Sequence, residues 1–279
     1  MNRERLERFL ASHTYAMNTR HRYRHVFGLA CGLPVENWQA RDLLTFVSRP
    51  EWGSSQRCVA FYALRGYILW MWGDNHPALL AKIPPVKPKK QRVLTKETAL
   101  ELLASFDTSI PSGARDLAVC AVALDTGLRC SELCHLCLAD VDLHQRTLQV
   151  VVKGGQWGMG IFSAETAMYI DRWLTFRAGE VREGVETLFV SLHHQCHGLP
   201  LTREGLQGIV KRWGLRLGIK LSPHDLRRTF ATLTTIFGAP SRVVQEAGRW
   251  SSITMVERYT SSLDASAIAP YLPVARLLK

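Results

Sequence analysis

Five widely spaced polar residues in this 279-residue chain could together act on one phosphodiester: Arg129, Lys153, His224, Arg227 and Tyr259. Guanidinium groups make planar, bidentate contacts to phosphate oxygens, and an imidazole exchanges protons near neutral pH. A phenol can serve as a nucleophile, and an ammonium group can protonate a departing sugar oxygen. The set therefore predicts phosphoryl transfer at a phosphodiester.

Local signals predict how two of these residues are positioned. Ser222 is a good helix cap, Pro223 suits the first helical position, and Asp225 lies three residues past the cap. A helix that begins here places His224 and Arg227 one turn apart on the same face. The N-terminus of a helix also favours anions.

Lys153 is the only lysine between Lys96 and Lys211. Residues 147–152 alternate and are rich in valine, which predicts a strand, and the glycines that follow permit a tight turn. Residues 159–162 are then a candidate return strand. The pattern predicts a hairpin with Lys153 at its tip.

Each of these residues also has an ordinary structural interpretation. Arg129, which follows a predicted turn at 125–128, could pair with Glu132 on the next helical turn. His224 could cap its helix, Lys153 could be solvated, and Tyr259 could be a half-buried packing residue. The set of residues, rather than any one of them, favours the catalytic interpretation.

The positive charge is concentrated at the N-terminal end. The formal net charge is +11, and residues 1–92 hold 15 Lys+Arg against 6 Asp+Glu, whereas 93–279 hold 20 against 18. This distribution favours a polyanionic partner held by the N-terminal third, although a solvated basic surface would also explain it. The candidate DNA-binding residues are Arg20, Arg22 and Arg57 on predicted helices, and Lys87, Lys89, Lys90 and Arg92 in a proline-rich connector.

Helical patterns dominate the chain. In the first 80 residues we predict helices starting near Asn18–Thr19, after Asn37 and at Ser54–Ser55, the last ending near Gly73. The connector holds three prolines, which favour an extended segment. Further helices are predicted from Thr95 to Leu103, over 114–124, from a Ser131 cap through Leu138, over 164–178 and over 202–217.

Cysteine usage and hydropathy limit the protein class. The seven cysteines are an odd number without a secretory signal, so reduced thiols are expected. Cys134 and Cys137 with His135 could bind zinc, and the histidines of 193–197 could bind a metal, but core packing and an exposed turn explain them better. No stretch is apolar enough to span a bilayer, so we expect no membrane partner and a cytoplasmic location.

Three segments resemble the signature boxes of the tyrosine recombinase (phage integrase) family. Residues 126–133 (TGLRCSEL) resemble its first arginine box, 224–231 (HDLRRTFA) its central box, and 248–260 (GRWSSITMVERYT) its nucleophile box. In the last box Tyr259 follows Trp250 by nine residues, as the family spacing requires. The resemblance covers about 94–265.

The resemblance implies a role for each residue. Tyr259 would attack the scissile phosphate, giving a 3′-phosphotyrosine and a free 5′-hydroxyl. Arg129 and Arg227 would hold the phosphate oxygens, Lys153 would protonate the leaving oxygen, and His224 would assist proton transfer. The protein–DNA ester conserves the bond energy, so neither ATP nor a metal cofactor is expected.

Two departures from the family pattern stand out. The sixth catalytic position usually carries histidine, and here it is Trp250, as in the Cre-like branch. Indole can pack and donate one hydrogen bond but cannot exchange protons, so His224 and Lys153 would carry the acid–base work. The familiar Gly-Lys-Gly pattern around Lys153 is incomplete, and Glu132 matches an acidic family position with a structural role.

The resemblance implies a mainly α fold with a small β-sheet or hairpin, arranged as a two-domain DNA clamp. Residues 1–81 would be the helical core-binding domain, 82–93 a basic linker, and 94–279 the catalytic domain with a C-terminal tail. The predicted function is site-specific recombination in the manner of the Xer-like or Cre-like types. The alternatives are a type IB topoisomerase-like nicking and resealing enzyme and a DNA-binding protein without catalysis.

The same resemblance predicts the partners. Reciprocal exchange on double-stranded DNA implies a dimer per site and a tetramer in synapsis, with a partner recombinase or accessory protein as a further possibility. The tail from Leu263 to Lys279 is rich in apolar residues. We expect its last helix to dock onto a neighbouring subunit, with packing on its own subunit as the alternative.

Overall fold

The computed structural model describes residues 3–84, 91–151 and 155–260, and for 258–260 it describes the backbone alone. The chain divides into two compact units, Met1–Lys89 and Lys90–Lys279. The division falls inside the segment predicted as a linker, while the predicted domain bounds remain a prediction. No helix among the described residues has the length and apolar character to cross a bilayer.

The N-terminal unit is helical, as predicted. Its helices are α1 (Arg3–Ala11), α2 (Met17–Ala30), α3 (Ala40–Val47) and α4 (Ser54–Trp72). The cap predicted at Asn18–Thr19 is wrong, because Ala16 is extended and α2 has already begun at Met17. By contrast, α4 ends as expected at Gly73, whose φ of 76° suits glycine.

Aromatic side chains fill the centre of this unit. Phe9, Phe27 and Tyr67, from α1, α2 and α4, are fully buried. The ring of Phe9 meets the rings of Phe27 and Tyr67 edge to face, with centroids 5.8 and 5.6 Å apart. Such contacts add about 0.5–1.5 kcal/mol per pair to the burial of apolar surface. The three helices are therefore fixed against one another by a dry core.

The second unit is built around one buried helix. Its helices are α5 (Lys96–Ala104), α6 (Pro111–Thr126), α7 (Cys130–His135), α8 (Ala164–Glu180), α9 (Arg203–Arg216), α10 (Pro223–Ile236), α11 (Ser241–Ala247) and α12 (Ile253–Thr260). Helix α6 packs against both α8 and α10. Most residues of α6 are buried, so packing in the core fixes the position of its C-terminal end.

A small antiparallel sheet completes the unit. It consists of β1 (Val141–Asp142), β2 (Thr147–Val151) and β3 (Trp157–Ile161), in the order β1-β2-β3. Strands β2 and β3 form the predicted hairpin, with Val151 opposite Trp157. The two-residue β1 was too short to leave a signal in the sequence. The predicted fold class, mainly α with a small sheet, is confirmed.

A partly buried carboxylate links the end of α6 to the start of α8. Asp125 accepts hydrogen bonds from the backbone N–H of Ser163 at 2.8 Å and from its hydroxyl at 2.7 Å. Thr166 donates a further bond at 2.6 Å. Since β3 ends just before Ser163, these contacts hold both α6 and β3 next to the turn that leads to Arg129.

Candidate active site

The turn that precedes Arg129 requires glycine. Helix α6 is followed directly by Gly127, which is left-handed with φ 58° and donates its N–H to the carbonyl of Ala123. A Cβ added at Gly127 would overlap the ring of Phe230 on α10. Glycine therefore allows the chain to reverse close to α10 and enter α7 at Arg129.

Arg129 is partly exposed and paired. Its guanidinium Nη1 lies 2.6 Å from Oε1 of Glu132, and its backbone N–H donates to Oε2 at 2.8 Å. Arg129 is therefore the N-cap residue of α7, with the Glu132 carboxylate accepting from its N–H, and the cap predicted at Ser131 is wrong. The ion pair with Glu132, the ordinary structural interpretation of Arg129, is present. It leaves the Arg129 side chain 39% exposed, so the pairing orients the guanidinium without excluding a phosphate.

The start of α10 is as the sequence predicts. Ser222 donates to Oδ2 of Asp225 through its N–H at 2.9 Å and its hydroxyl at 2.7 Å. Pro223 occupies the first turn of the helix. His224 and Arg227 consequently lie in the first two turns of α10, close to its N-terminus.

Arg227 has a structural role that the sequence did not reveal. Its side chain is 2% exposed, its Nη1 donates to the carbonyl of Gly127, and its Nη2 donates to the carbonyl of Gly248 at 2.5 Å. Its Cζ lies 4.3 Å from the ring centroid of Trp250. The guanidinium thus joins the α6–α7 turn to the α11–α12 turn. A phosphate could reach it only at a small exposed edge or after these turns shift.

Trp250 packs where a proton-transfer residue is usual in the family. It is 7% exposed and stacks on Phe230, with ring centroids 6.2 Å apart and planes 22° from parallel. It also contacts the Arg227 guanidinium, at a distance typical of a cation–π interaction, which is worth about 2 kcal/mol when desolvated. The indole therefore holds Arg227 in place.

Helix α12 is attached to the same cluster. Val256 of α12 is fully buried and belongs to the same hydrophobic cluster as Phe230, Val244 and Trp250. Helix α12 packs against α10 and α11. The backbone of Tyr259 lies in the last turn of α12, two turns past Ile253. Its side chain is outside the described atoms, so its predicted role stays a prediction.

An open cavity of about 960 Å³ lies beside Arg129. Its polar wall includes Arg129 and Arg249, and its apolar wall includes Trp250 and, from β3, Trp157 and Met159. Trp157 and Met159 are 67% and 59% exposed. The exposed part of the Arg129 guanidinium therefore faces a space large enough for a phosphodiester.

Several other predicted residues fall outside the described part of the chain. These are Lys153 at the hairpin tip, Lys87, Lys89 and Lys90 in the connector, and the tail beyond residue 260. Their roles remain predictions. Arg92 is described and exposed, as a DNA contact requires.

The three arginines predicted to bind DNA in the N-terminal unit differ in their surroundings. Arg22 is exposed on α2. Arg57 is partly buried and donates to the carbonyls of Trp52 at 2.9 Å and Arg49 at 3.1 Å, so it ties down the turn before α4. Arg20 is partly buried and makes a long hydrogen bond of 3.4 Å to the carbonyl of His13. Arg22 is the one of the three whose side chain is best placed for a phosphate.

The cationic surroundings shift the proton equilibrium of His224. Protein atoms displace water from the ring, which is the largest cause of a lowered pKa, and repulsion by Arg228, Arg227 and Arg129 lowers it further, while Asp225 opposes them. The residue remains exposed to solvent, so a bound anion can reach its surroundings and change the repulsion. His224 is therefore neutral at pH 7 and able to accept a proton.

We expect the His224 pKa to rise when DNA binds, because a phosphate next to Arg129 cancels the repulsion that lowers it. NMR titration of the imidazole Cε1–H, assigned with His224→Gln, measures this. The midpoint should lie below about 6.5 in the free protein and move up with DNA. Since the unfolded chain protonates first, stability should also fall as the pH drops below about 6.5. A midpoint that falls on DNA binding would contradict this account.

Comparisons with known proteins show the family of this chain. The sequence profile of the phage integrase family matches residues 92–266. Tyrosine recombinase XerD of Listeria monocytogenes serotype 4b (strain F2365) is 32% identical over 246 residues, covering 83% of this chain and 81% of that protein. Tyrosine recombinase XerD of Neisseria meningitidis serogroup B is 30% identical over 213 residues, covering 74% and 72%.

The fold has a solved counterpart. The Tn1549 transposon integrase, in complex with transposon right end DNA, superposes with a TM-score of 0.77 at 16% identity, covering 99% of this chain and 98% of that one. That likeness concerns the fold. The profile match over 92–266 and the relatives at 32% and 30% identity settle the family. This chain belongs to the phage integrase family, the tyrosine recombinases.

Proposed function

We propose that this recombinase cuts and rejoins DNA at specific sites through a 3′-phosphotyrosine formed by Tyr259. One observation carries the assignment of the site. Arg129, Arg227 and Trp250, which are far apart in sequence, meet at two turns, and the second turn leads directly into the helix that bears Tyr259. Such a convergence is needed for a nucleophile to attack a phosphate held by guanidiniums.

The charge balance of the cluster supports a phosphodiester as the substrate. The guanidiniums of Arg129 and Arg249 lie beside one buried carboxylate, that of Glu132, and Arg227 adds a third positive charge at the two adjoining turns. Two positive charges then remain, and a phosphodiester group, with its single negative charge, neutralises one of them when it enters. Its second non-bridging oxygen acquires charge in the transition state, where a preorganised cation is most effective.

The proposed step exchanges one ester for another. The phenolic oxygen of Tyr259 bonds to phosphorus as the bond from phosphorus to the 5′-oxygen breaks, and neutral His224 assists with transfer of the phenolic proton. Lys153 supplies the proton that leaves with the 5′-hydroxyl. Attack by a 5′-hydroxyl from the same or another duplex reverses the step, so no external energy source is consumed. Trp250 contributes by packing on Arg227 and not by proton transfer.

DNA is the substrate, and we propose that both units grip it. The N-terminal domain (1–81) would contribute Arg22, and the linker (82–93) its lysines and Arg92. Exchange between two sites needs a dimer at each site and a tetramer when the sites pair. The C-terminal tail is the proposed contact between neighbouring subunits.

A nicked suicide substrate tests the proposal. When the short 5′-hydroxyl strand diffuses away, cleavage cannot be reversed, and the wild-type protein should accumulate as a covalent DNA adduct that resists denaturation. Tyr259→Phe should bind the same DNA and form no adduct, because the attacking oxygen is missing. An adduct formed equally well by Tyr259→Phe would refute the assignment.

The same assay separates two alternatives. A second labelled duplex carrying the site should receive the cleaved strand if the protein recombines DNA. Relaxation of supercoiled plasmid without any such transfer would favour a topoisomerase-like enzyme. DNA binding without an adduct would favour a protein that binds DNA and does not cut it.

A further inference from the structure

Arg249 has an unusual backbone conformation in the middle of the site. It lies between Gly248 and Trp250, and its φ is 55°, in the left-handed region that favours glycine. Among the described residues, Arg146 is the other non-glycine residue with a positive φ, also 55°. A residue with a Cβ loses about 1 kcal/mol in this conformation, so contacts elsewhere must hold Arg249 there.

Those contacts are made by its guanidinium. Nη2 donates to the carbonyl of Thr126 at 2.9 Å, and Nη1 donates to the carbonyls of Ala247 at 2.9 Å and Met159 at 3.0 Å. Thr126 is the last residue of α6, Ala247 the last of α11, and Met159 the centre of β3. Carbonyls at helix C-termini lack helical partners and carry partial negative charge. One side chain thus joins two helix ends and a strand.

Arg249 also holds Arg129 by two routes. Its backbone carbonyl accepts a 3.4 Å hydrogen bond from Nη2 of Arg129. Its own Nη2 lies 3.9 Å from Oε2 of Glu132, whose other oxygen binds Arg129. The left-handed φ decides where that carbonyl points. The conformation of Arg249 and the orientation of Arg129 are therefore coupled.

This arrangement is costly for stability. The Arg249 side chain is 8% exposed, and its Nε finds no acceptor among the described residues. Burial is the main cause of a lowered Arg249 pKa, and repulsion from Arg129 adds to it, while Glu132 opposes both. A buried donor without an acceptor costs about 1–3 kcal/mol. A glycine here would avoid these costs, so the side chain serves another purpose.

We propose that Arg249 is a positioning residue for DNA cleavage: it fixes the Arg129 guanidinium and strand β3 relative to the turn that leads to the nucleophile helix. It acts through Arg129 and does not grip the DNA itself. This inference rests on the proposed function of the site. It predicts that loss of the Arg249 side chain slows cleavage and leaves DNA binding nearly unchanged.

Arg249→Gly isolates the side chain, because glycine accepts φ 55° without strain. Arg146→Gly is the matched control. It relieves the same backbone conformation at an exposed position, and the hydrogen bond that the Arg146 carbonyl accepts from Phe162 N–H is unaffected. Arg249→Lys keeps the charge but loses the fork of donors that reaches three carbonyls. Thermal unfolding of all three variants checks that they are folded.

The readouts are the single-turnover rate of adduct formation on the suicide substrate and the Kd for the same DNA. We expect Arg249→Gly to cleave about 100-fold more slowly, on the scale of losing one preorganised donor, with Kd changed less than about threefold. The cleavage rate of Arg249→Lys should lie between those of the wild type and Arg249→Gly. Arg146→Gly should cleave at the wild-type rate. A parallel loss of binding and cleavage in Arg249→Gly would overturn the proposal, as would cleavage within twofold of the wild type.

A double-mutant cycle distinguishes positioning from general loosening of the fold. If Arg249 acts through Arg129, then Arg249→Gly should add little to the defect of Arg129→Lys. If the fold decrease in cleavage rate of the double variant equals the product of the two single decreases, the coupling is rejected. The cycle is interpretable only if the wild type forms the adduct. If the wild type forms no adduct, the proposed function fails. If the wild type forms the adduct and Arg249→Gly forms it at the same rate, this inference alone fails.

Discussion

Arg129→Ala is expected to cleave DNA about 1,000-fold more slowly than the wild type while its affinity for the site falls less than about tenfold. The guanidinium is partly exposed, faces the open cavity, and is held by Glu132 and by the carbonyl of Arg249. A cation fixed in this way acts chiefly on charge that develops in the transition state. The single-turnover rate on the suicide substrate and the Kd for the same DNA measure the two effects.

Two further variants make the Arg129 result specific. Arg129→Lys keeps the charge without the planar fork and should recover only part of the rate. Arg216→Ala removes one exposed positive charge from α9 and should leave the cleavage rate unchanged. Equal losses of binding and cleavage in Arg129→Ala would identify Arg129 as a structural residue or a simple DNA contact.

Gly248→Ala is expected to damage both stability and cleavage, although it adds a single methyl group. A Cβ at this position would overlap the six-membered ring of Trp250, and the Gly248 carbonyl is a hydrogen-bond acceptor for Arg227. To avoid the overlap, either the Trp250 ring must lose its contact with the Arg227 guanidinium or the α11–α12 turn must shift. Overpacking of this kind costs about 1–3 kcal/mol, which lowers the Tm by several degrees. The cleavage rate should fall at least about tenfold, because the guanidiniums of Arg129 and Arg227 both bond to carbonyls of this turn.

The cause of the Gly248→Ala defect can be tested with a second site. Trp250→His replaces the ring that the new methyl group would meet with a smaller one, so the extra cost of Gly248→Ala should shrink in that background. Gly179→Ala is the matched control, because a Cβ there meets no atom within 4 Å. An equal loss of Tm from Gly248→Ala in both backgrounds would show that the overlap with Trp250 is not the reason.

The parts of the site that the sequence predicted are those with short-range causes. The Ser222–Asp225 cap and the proline that follows it are read from neighbouring residues, so the placement of His224 and Arg227 on α10 was predictable. The β2–β3 hairpin follows equally from local alternation and glycine. The resemblance to the family then supplied the chemical roles, which local patterns cannot provide.

The parts that the sequence missed depend on contacts between distant residues. The carbonyl that binds Arg227 Nη1 is 100 positions away along the chain, at Gly127, and the carbonyl of Thr126 lies 123 positions from Arg249. No periodicity or spacing reports such pairs. The Ser131 cap failed for a related reason, because a competing carboxylate one residue later, Glu132, bonds the Arg129 N–H. The one local clue to Arg249 was a large polar residue directly before Trp250.

These contacts connect the turn before Arg129 to the turn before the helix that bears Tyr259. Arg227 links the α6–α7 turn to the α11–α12 turn through two carbonyls, and Trp250 covers its guanidinium. Because α12 follows the second of these turns, any movement of α12 changes the surroundings of Arg227. We infer that phosphate binding and the placement of the nucleophile helix are coupled through these turns.

The most direct test of the account is to locate the covalent bond between the protein and DNA. The adduct from the suicide substrate, digested with nuclease and trypsin, should yield residues 259–276 with a nucleotide attached through its 3′-phosphate. Because this peptide contains Tyr259 and Tyr271, fragmentation must assign the modified side chain. The account predicts the nucleotide on Tyr259. A nucleotide on Tyr271, on a serine, or joined through a 5′-phosphate would contradict it.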